Sequence, residues 1–281
     1  MIKNKKKIKL RSIFLVIFTT LLVIIEAYPI FWMLTASFKT AAEFSEKPSY
    51  AINAGFHWEN YINAWERGNM SVFFKNSLIN TVVSLIFIVF FAVTVGFALT
   101  KMKWKNRDRV AAFFSVGIMV PIATALIPLF QMYNMIGLIN TRTGLILVYI
   151  AFGLSLSIYL VIGFYRSLPD EILEAGVIDG CGIYKLMWTI VVPLMKNAIV
   201  TVLVLQFFFK WNDLLFSMTL VSDTSLKTIQ TGLLYFQDEF GSKNWGAIFA
   251  SVSISVMPML VIYMFLNKTV MEGMTAGAVK G

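Results

Sequence analysis

Residues Leu168–Asn197 read LPDEILEAGVIDGCGIYKLMWTIVVPLMKN, a short island of mixed charge in a very apolar chain. Hydrophobic segments of membrane-spanning length flank it on both sides. An island so placed lies at a membrane surface, held there by its neighbours. Pro169 suits the first turn of a helix, where a missing N–H costs nothing. Asp170 and Glu171 follow with the sign that a helix N-terminus prefers. Gly180 and Gly182 can end this first helix, and a second can start near Ile183. The stretch therefore predicts a helix–turn–helix knuckle, residues 168–188, lying across one membrane face.

The composition outside this island sets the class. The chain has 281 residues, 58% hydrophobic and 14% charged. Soluble domains average about 25% charged, so this is an integral membrane protein. Cys181 is the single cysteine, which excludes an intramolecular disulfide, and His57 is the single histidine, which excludes a His-rich metal site. The formal charge of +9 suggests nucleic acid only until its distribution is seen. Lys3, Lys5, Lys6, Lys7, Lys9 and Arg11 crowd residues 1–11, directly before an apolar run, as a cytoplasmic anchor on anionic lipid would. A cleaved signal peptide is the weaker reading, because the apolar run continues through Ala27–Ala36.

Six segments can cross about 30 Å of hydrocarbon: residues 12–36, 77–100, 110–134, 144–165, 189–209 and 245–266. The expected fold is all-α, with a transmembrane domain over 12–268 and a cytoplasmic tail over 269–281. An even number of spans puts both ends on one side. With that threading, 16 Lys and Arg fall on the side of the termini and the knuckle, against 8 on the other. The excess assigns termini and knuckle to the cytoplasm.

Several residues along the spans invite chemistry. Glu26 is a costly acid inside the first span. Phe56, Trp58, Tyr61 and Trp65 stand among charges in the first outer segment, as an interfacial belt or a docking surface. Pro121 and Pro128 are expected to kink the third span. Broken backbone at membrane depth is tolerated where it is buried in protein or lines a cavity. Pro121 and Thr124 are therefore candidates for a translocation path. The fourth span opens with Gly153, Ser155 and Ser157. The fifth ends at Lys210-Trp211-Asn212-Asp213, where Asn212 and Asp213 suit sugar hydroxyls and Trp211 a ring face. Ala247, Ser251 and Ser255 form a small-residue stripe on the last span, which Pro258 is expected to kink.

The knuckle resembles the EAA loop of ABC-importer permeases: Glu174-Ala175-Gly176, Asp179-Gly180, then Ile190-Val191-Val192-Pro193. Gly176, Cys181 and Val192 are mild departures from that pattern. Trp58-Glu59-Asn60-Tyr61, Gly137-Leu138-Ile139-Asn140-Thr141, the Trp-Asn-Asp ending and the tail Gly273-Met274-Thr275-Ala276-Gly277-Ala278-Val279-Lys280-Gly281 resemble carbohydrate permeases of the maltose-transporter second-permease type. A Pro-Phe pair common near the fourth span in that family is missing here.

The resemblance implies a permease subunit with a MetI-like fold, forming half of a path for a sugar or oligosaccharide. Implied partners are a second, homologous permease subunit, two ATPase subunits and an extracellular solute-binding protein. Glu174 would meet a basic residue of the ATPase, Ala175 and Gly176 would pack in its groove, and Asp179 with Gly180 would fix the turn. Thr275, Ala276, Gly277, Ala278, Val279 and Lys280 would reach the ATPase as well. No Gly-x-x-x-x-Gly-Lys-Ser/Thr sequence occurs, so ATP and Mg are expected in the partner. No catalytic constellation is visible, and the chain is not expected to be an enzyme by itself. The alternatives are an importer permease for a non-sugar solute and an ion-coupled secondary transporter, which would lean on Glu26.

Overall fold

The computed structural model describes the backbone of residues 3–48, 50–51, 55–240 and 244–278, and side chains over 12–48, 50–51, 55–234 and 244–267. The described chain is α-helical and divides into two compact units, Met1–Met70 with Leu233–Val256, and Ser71–Gly232 with Met257–Gly281.

The first unit starts with α1 (Lys3–Ala36), followed by α2 (Ala41–Glu46) and α3 (Glu59–Ile62). Residues 12–31 of α1 are exposed, Glu26 among them. Packing begins only at the C-terminal turn, where Ala36 and Ser37 are buried. There the chain reverses into α2, whose start is fixed by a capping box. The Thr40 side chain accepts from the Glu43 N–H, and the Glu43 carboxylate accepts from the Thr40 N–H. Asn60 donates to the carbonyls of Ser37 and Lys39, both at 2.9 Å, which ties α3 to the same corner. Trp32 meets Phe249 edge-on at 5.0 Å, and Phe38 is ringed by Phe56, Trp58 and Tyr61. Phe38, Phe56, Trp58 and Tyr61 thus form one cluster, as amphipathic rings at a membrane boundary do.

The second unit holds α4 (Met70–Lys101), α5 (Arg107–Ile118), α6 (Ile122–Met135), α7 (Arg142–Ser167) and α8 (Asp170–Ile178). After them come α9 (Ile183–Lys185), a widened π turn over Leu186–Val191, α10 (Val192–Leu194), α11 (Lys196–Trp211), α12 (Leu215–Leu220) and the start of α13 (Ile229–Phe240). Its core gathers Ala92, Phe97, Ile158, Val161, Tyr165, Val191 and Val202 from α4, α7 and the α9–α11 segment. The last helix, α14, runs Trp245–Ala278.

Among the described residues, four helices are long and apolar enough to cross a membrane unbroken, and the number is six if each of two bent pairs is one span. The bends refine the sequence expectation. The third span breaks by 102° between Ile118 and Ile122. Pro121 sits at the break in extended conformation (ψ 128°). Its ring disfavours a helical Val120, and Gly117 weakens the same turn. Pro128 does not break anything, because α6 carries it in its interior. The fifth span, expected to start at Thr189, begins at Ile183 and bends by 75° around Met195. Pro193 removes one helical hydrogen bond there, directly after the π turn. α14 passes Pro258 without interruption.

The tail is helical over its described part, because α14 continues to Ala278. Extending an existing helix avoids the nucleation cost, which offsets the roughly 1 kcal/mol that each glycine loses. Val279 and Lys280 lie outside the described residues.

Candidate functional site

A helix–turn–helix knuckle forms where the sequence places it. α8 starts at Asp170 behind Pro169 and ends at Ile178. Gly180 takes φ +78°. The Cys181 N–H bonds to the Gly176 carbonyl at 3.0 Å and the Gly180 N–H to Val177 at 3.0 Å, a Schellman turn that satisfies the last carbonyls of the helix. Only glycine adopts the conformation at position 180 without strain.

Gly176 lies on the inward face of this helix. It is buried, and a Cβ there would stand 2.4 Å from Leu186 Cδ1 and 3.1 Å from Ile190 Cδ1. The glycine lets α8 lie directly on the π turn. The inward side of Gly176 is filled by the protein's own chain. Asp179 caps the end of α8. Its backbone N–H bonds to the Ala175 carbonyl, but no hydrogen bond fixes its exposed side chain, so backbone geometry and Gly180 set the turn.

Glu174 and Ala175 are exposed on the outward face. Around them stand apolar side chains that are equally uncovered: Val177 (61% exposed), Ile178 (84%) and Tyr184 (79%). This stretch of the knuckle thus combines an exposed acid with uncovered apolar side chains.

The knuckle is tied to the spans on its inner side. Lys101, at the end of α4, donates to the Leu168 carbonyl at 2.7 Å and to Asp170 at 2.6 Å. Tyr165 donates to the Val93 carbonyl at 3.0 Å, locking α7 to α4 just above. Trp188 stacks on Phe90 at 6.0 Å. These bonds join the start of α8 to α4, and α4 to α7.

Hydrogen bonding to Lys101, followed by its charge, holds the Asp170 carboxyl below the ordinary carboxylate value. A depressed folded-state pKa contributes stability that is complete above the unfolded value and lost as pH falls through the folded one. Asp170→Asn is accordingly expected to speed amide hydrogen exchange at the start of α8 at neutral pH. The difference from wild type should vanish in acid below the usual carboxylate range. Equal exchange at pH 7 would show that the Lys101–Leu168 bond alone holds the junction.

A second constellation lies at the break of the third span. A cavity of about 220 Å³ is lined by Gly117 and Ile122 from the broken span, Tyr149 and Ser155 from α7, and Lys210 and Asp213 at the end of α11. Gly117 permits the close approach of α5 to α7, since a Cβ there would meet the Ser155 hydroxyl at 2.3 Å. Asp213 accepts from the Tyr149 hydroxyl at 2.8 Å and from the N–H groups of Phe216 and Ser217 at 3.2 and 2.9 Å. Gln206, also on the lining, donates to the Gly153 carbonyl and the Ser157 hydroxyl.

Among the residues singled out from sequence, Asp213 lines this cavity, whereas Pro121, Thr124 and Asn212 do not. Thr124 is exposed and its hydroxyl donates to the Pro121 carbonyl. Asn212 is turned toward α14 and α13, donating to Met259 Sδ and accepting from Gln230. Trp211 offers no ring face to a ligand: it is 1% exposed, stacked on Phe207 and edge-on to Phe74. Lys210, Tyr149 and Gln206 were not singled out as a site. Lysine and glutamine in an apolar run were the available signal.

Comparison with known proteins agrees with this architecture. A probable ABC transporter permease of Bacillus subtilis, YurM, is 30% identical over 94% of this chain and 87% of its own length. The melibiose/raffinose/stachyose import permease MelC of the same organism is 31% identical over 90% and 91%. A solved structure of a bacterial ABC transporter involved in the import of the acidic polysaccharide alginate shares the fold, with a TM-score of 0.81 over 92% of this chain and 96% of that one, at 19% identity. The family model for the binding-protein-dependent transport system inner membrane component matches residues 88–275, a stretch that includes both the knuckle and the cavity, and the chain belongs to that family.

Proposed function

We propose that this chain is one permease subunit of a carbohydrate ABC importer, and that the knuckle is where a separate ATPase takes hold. The observation that carries this reading is the knuckle's two-sidedness. Its inner face is bonded to α4 and α7, and its outer face presents Glu174 within uncovered Val177, Ile178 and Tyr184. A lever needs both. The relatives' names favour a sugar: besides the melibiose-type permease, a diacetylchitobiose uptake permease and a trehalose/maltose permease are similar along nearly the whole chain.

In this reading the chain pairs with a second, homologous permease, both termini and the knuckle face the cytoplasm, and an extracellular solute-binding protein delivers the sugar. The basic segments next to the spans support the orientation. Mg-ATP sits in the partner ATPase and acts on this chain by binding one conformation of the assembly more tightly than the other. The tail from Thr275 toward Lys280 extends the contact. As a helix, the twelve residues from Asn267 to Ala278 advance roughly 18 Å, enough to leave the headgroup region.

Purification tests the proposal. When the chain is extracted with its neighbouring gene products, a nucleotide-hydrolysing subunit should co-purify in fixed proportion, and a loaded sugar-binding protein should raise its ATPase rate. A chain that purifies free of any ATPase, and supports uptake that follows an ion gradient, would replace this reading with secondary transport.

A further inference from the structure

Lys210 is 8% exposed and lines the cavity at the break of the third span. Its ammonium lies 5.5 Å from the centre of the Tyr149 ring, and among the described residues no oxygen accepts a hydrogen bond from it. A lysine ammonium carries three donors, and those of Lys210 face the cavity without a protein acceptor among the described residues. The obvious acceptor is not available in full. Asp213, on the same cavity wall, is already engaged by Tyr149, Phe216 and Ser217. Ser155, also on the wall, makes no hydrogen bond through its hydroxyl. The wall therefore offers unused donors beside a neighbouring carboxylate that offsets the cation's charge, next to the aromatic faces of Phe152, Phe209 and Phe216. Pockets for drug-sized ligands run to roughly 300–1,000 Å³, so a cavity of about 220 Å³ is of a size for one ring.

We propose that this cavity is a sugar subsite within this chain's own half of the translocation path. Lys210 donates to hydroxyl oxygens of a single uncharged sugar ring, Ser155 pairs with a further hydroxyl, and the aromatic side chains cover the ring's C–H face. The near balance of Lys210 and Asp213 selects a neutral polyhydroxyl ligand over an anionic one. The proposal rests on the sugar-importer reading and adds to it a location and a donor.

Site protection in the whole assembled transporter tests it. Cys181→Ser removes the native thiol, Ile122→Cys places a reporter on the cavity wall, and a small methanethiosulfonate reagent measures access. The probes are maltose, melibiose, raffinose and diacetylchitobiose, and uptake of each is measured in parallel with the wild-type transporter. A sugar that is taken up should slow labelling, and Lys210→Met should raise the protecting concentration about tenfold or more, the loss of one charge-assisted hydrogen bond. Lys210→Arg, which keeps a cation, should raise it less. Co-purification of the partner subunits confirms assembly of each variant. If a sugar is taken up but labelling is unchanged, or if Lys210→Met leaves protection at the same concentration, the subsite is wrong and the importer reading stands. If none of the four is taken up, the sugar reading falls and the subsite with it.

Discussion

Glu174→Ala should abolish sugar uptake by the assembled transporter while leaving the chain in the membrane. Glu174 is exposed on the outer face of α8, and no intramolecular hydrogen bond employs its carboxylate. Its removal therefore leaves α8 itself intact: the Schellman turn, the Gly176 contact and the Lys101 bonds do not involve it. What is lost is a charge-assisted bond to a cation across the interface, worth roughly 1.5–3 kcal/mol, or about 10- to 150-fold in attachment. The effect on uptake is larger than on attachment, because a lever that slips transmits nothing even when bound. Membrane yield, ATPase retained on purification and uptake are the three readouts. Wild-type uptake in the variant would remove Glu174 from coupling.

Gly144→Ala should be among the most destabilising single-methyl substitutions in the chain. An added Cβ at the first turn of α7 would sit 2.3 Å from the Leu138 carbonyl oxygen and 3.0 Å from the Thr141 hydroxyl that caps the same helix. The first obstacle is backbone and cannot swing aside. The Thr141 cap, which accepts from the Gly144 N–H at 3.0 Å, would be displaced with it. Overpacking of this kind costs roughly 1–3 kcal/mol, and loss of an N-cap about 1 more. Gly163, in the same helix, is the control: a Cβ there meets nothing within 4 Å. Gly163→Ala should be neutral or stabilising by up to about 1 kcal/mol, through helix propensity alone. Thermal denaturation of the detergent-solubilised complex separates the two. Equal midpoints would contradict the close approach at Gly144.

These two positions also mark how far the sequence could be read. The knuckle was legible because each part is a local rule: Pro169 at a start, Gly180 at a stop, acids in a first turn. The spans were legible from length and hydropathy, and α1 follows Ser12–Ala36 as read. Features that depend on which side chain meets which were not. The inward face of Gly176 depends on Leu186 and Ile190 folding back over it. Pro121 and Pro128 look alike in sequence, and only the packing of α5 and α6 distinguishes the one that breaks the span. The Trp-Asn-Asp triplet shows the limit most clearly. Three neighbouring residues took three surroundings, with Trp211 in the core, Asn212 toward Met259 and Asp213 in the cavity. A helix rotates by about 100° per residue, so adjacency in sequence separates side chains in space.

We propose that the outer face of α8 is the seat of a separate ATPase, and Ile178 is the position best placed to report on it. It is 84% exposed, lies one turn beyond Glu174 and takes no part in the knuckle's internal packing. A photoactivatable benzophenone side chain placed there, irradiated in membranes containing the complete transporter, should form one dominant cross-link to a nucleotide-binding subunit. The yield should change when ATP is added with a hydrolysis inhibitor. Cross-links to lipid or to the extracellular solute-binding protein alone, with none to a nucleotide-binding subunit, would contradict both the orientation of the knuckle and its role.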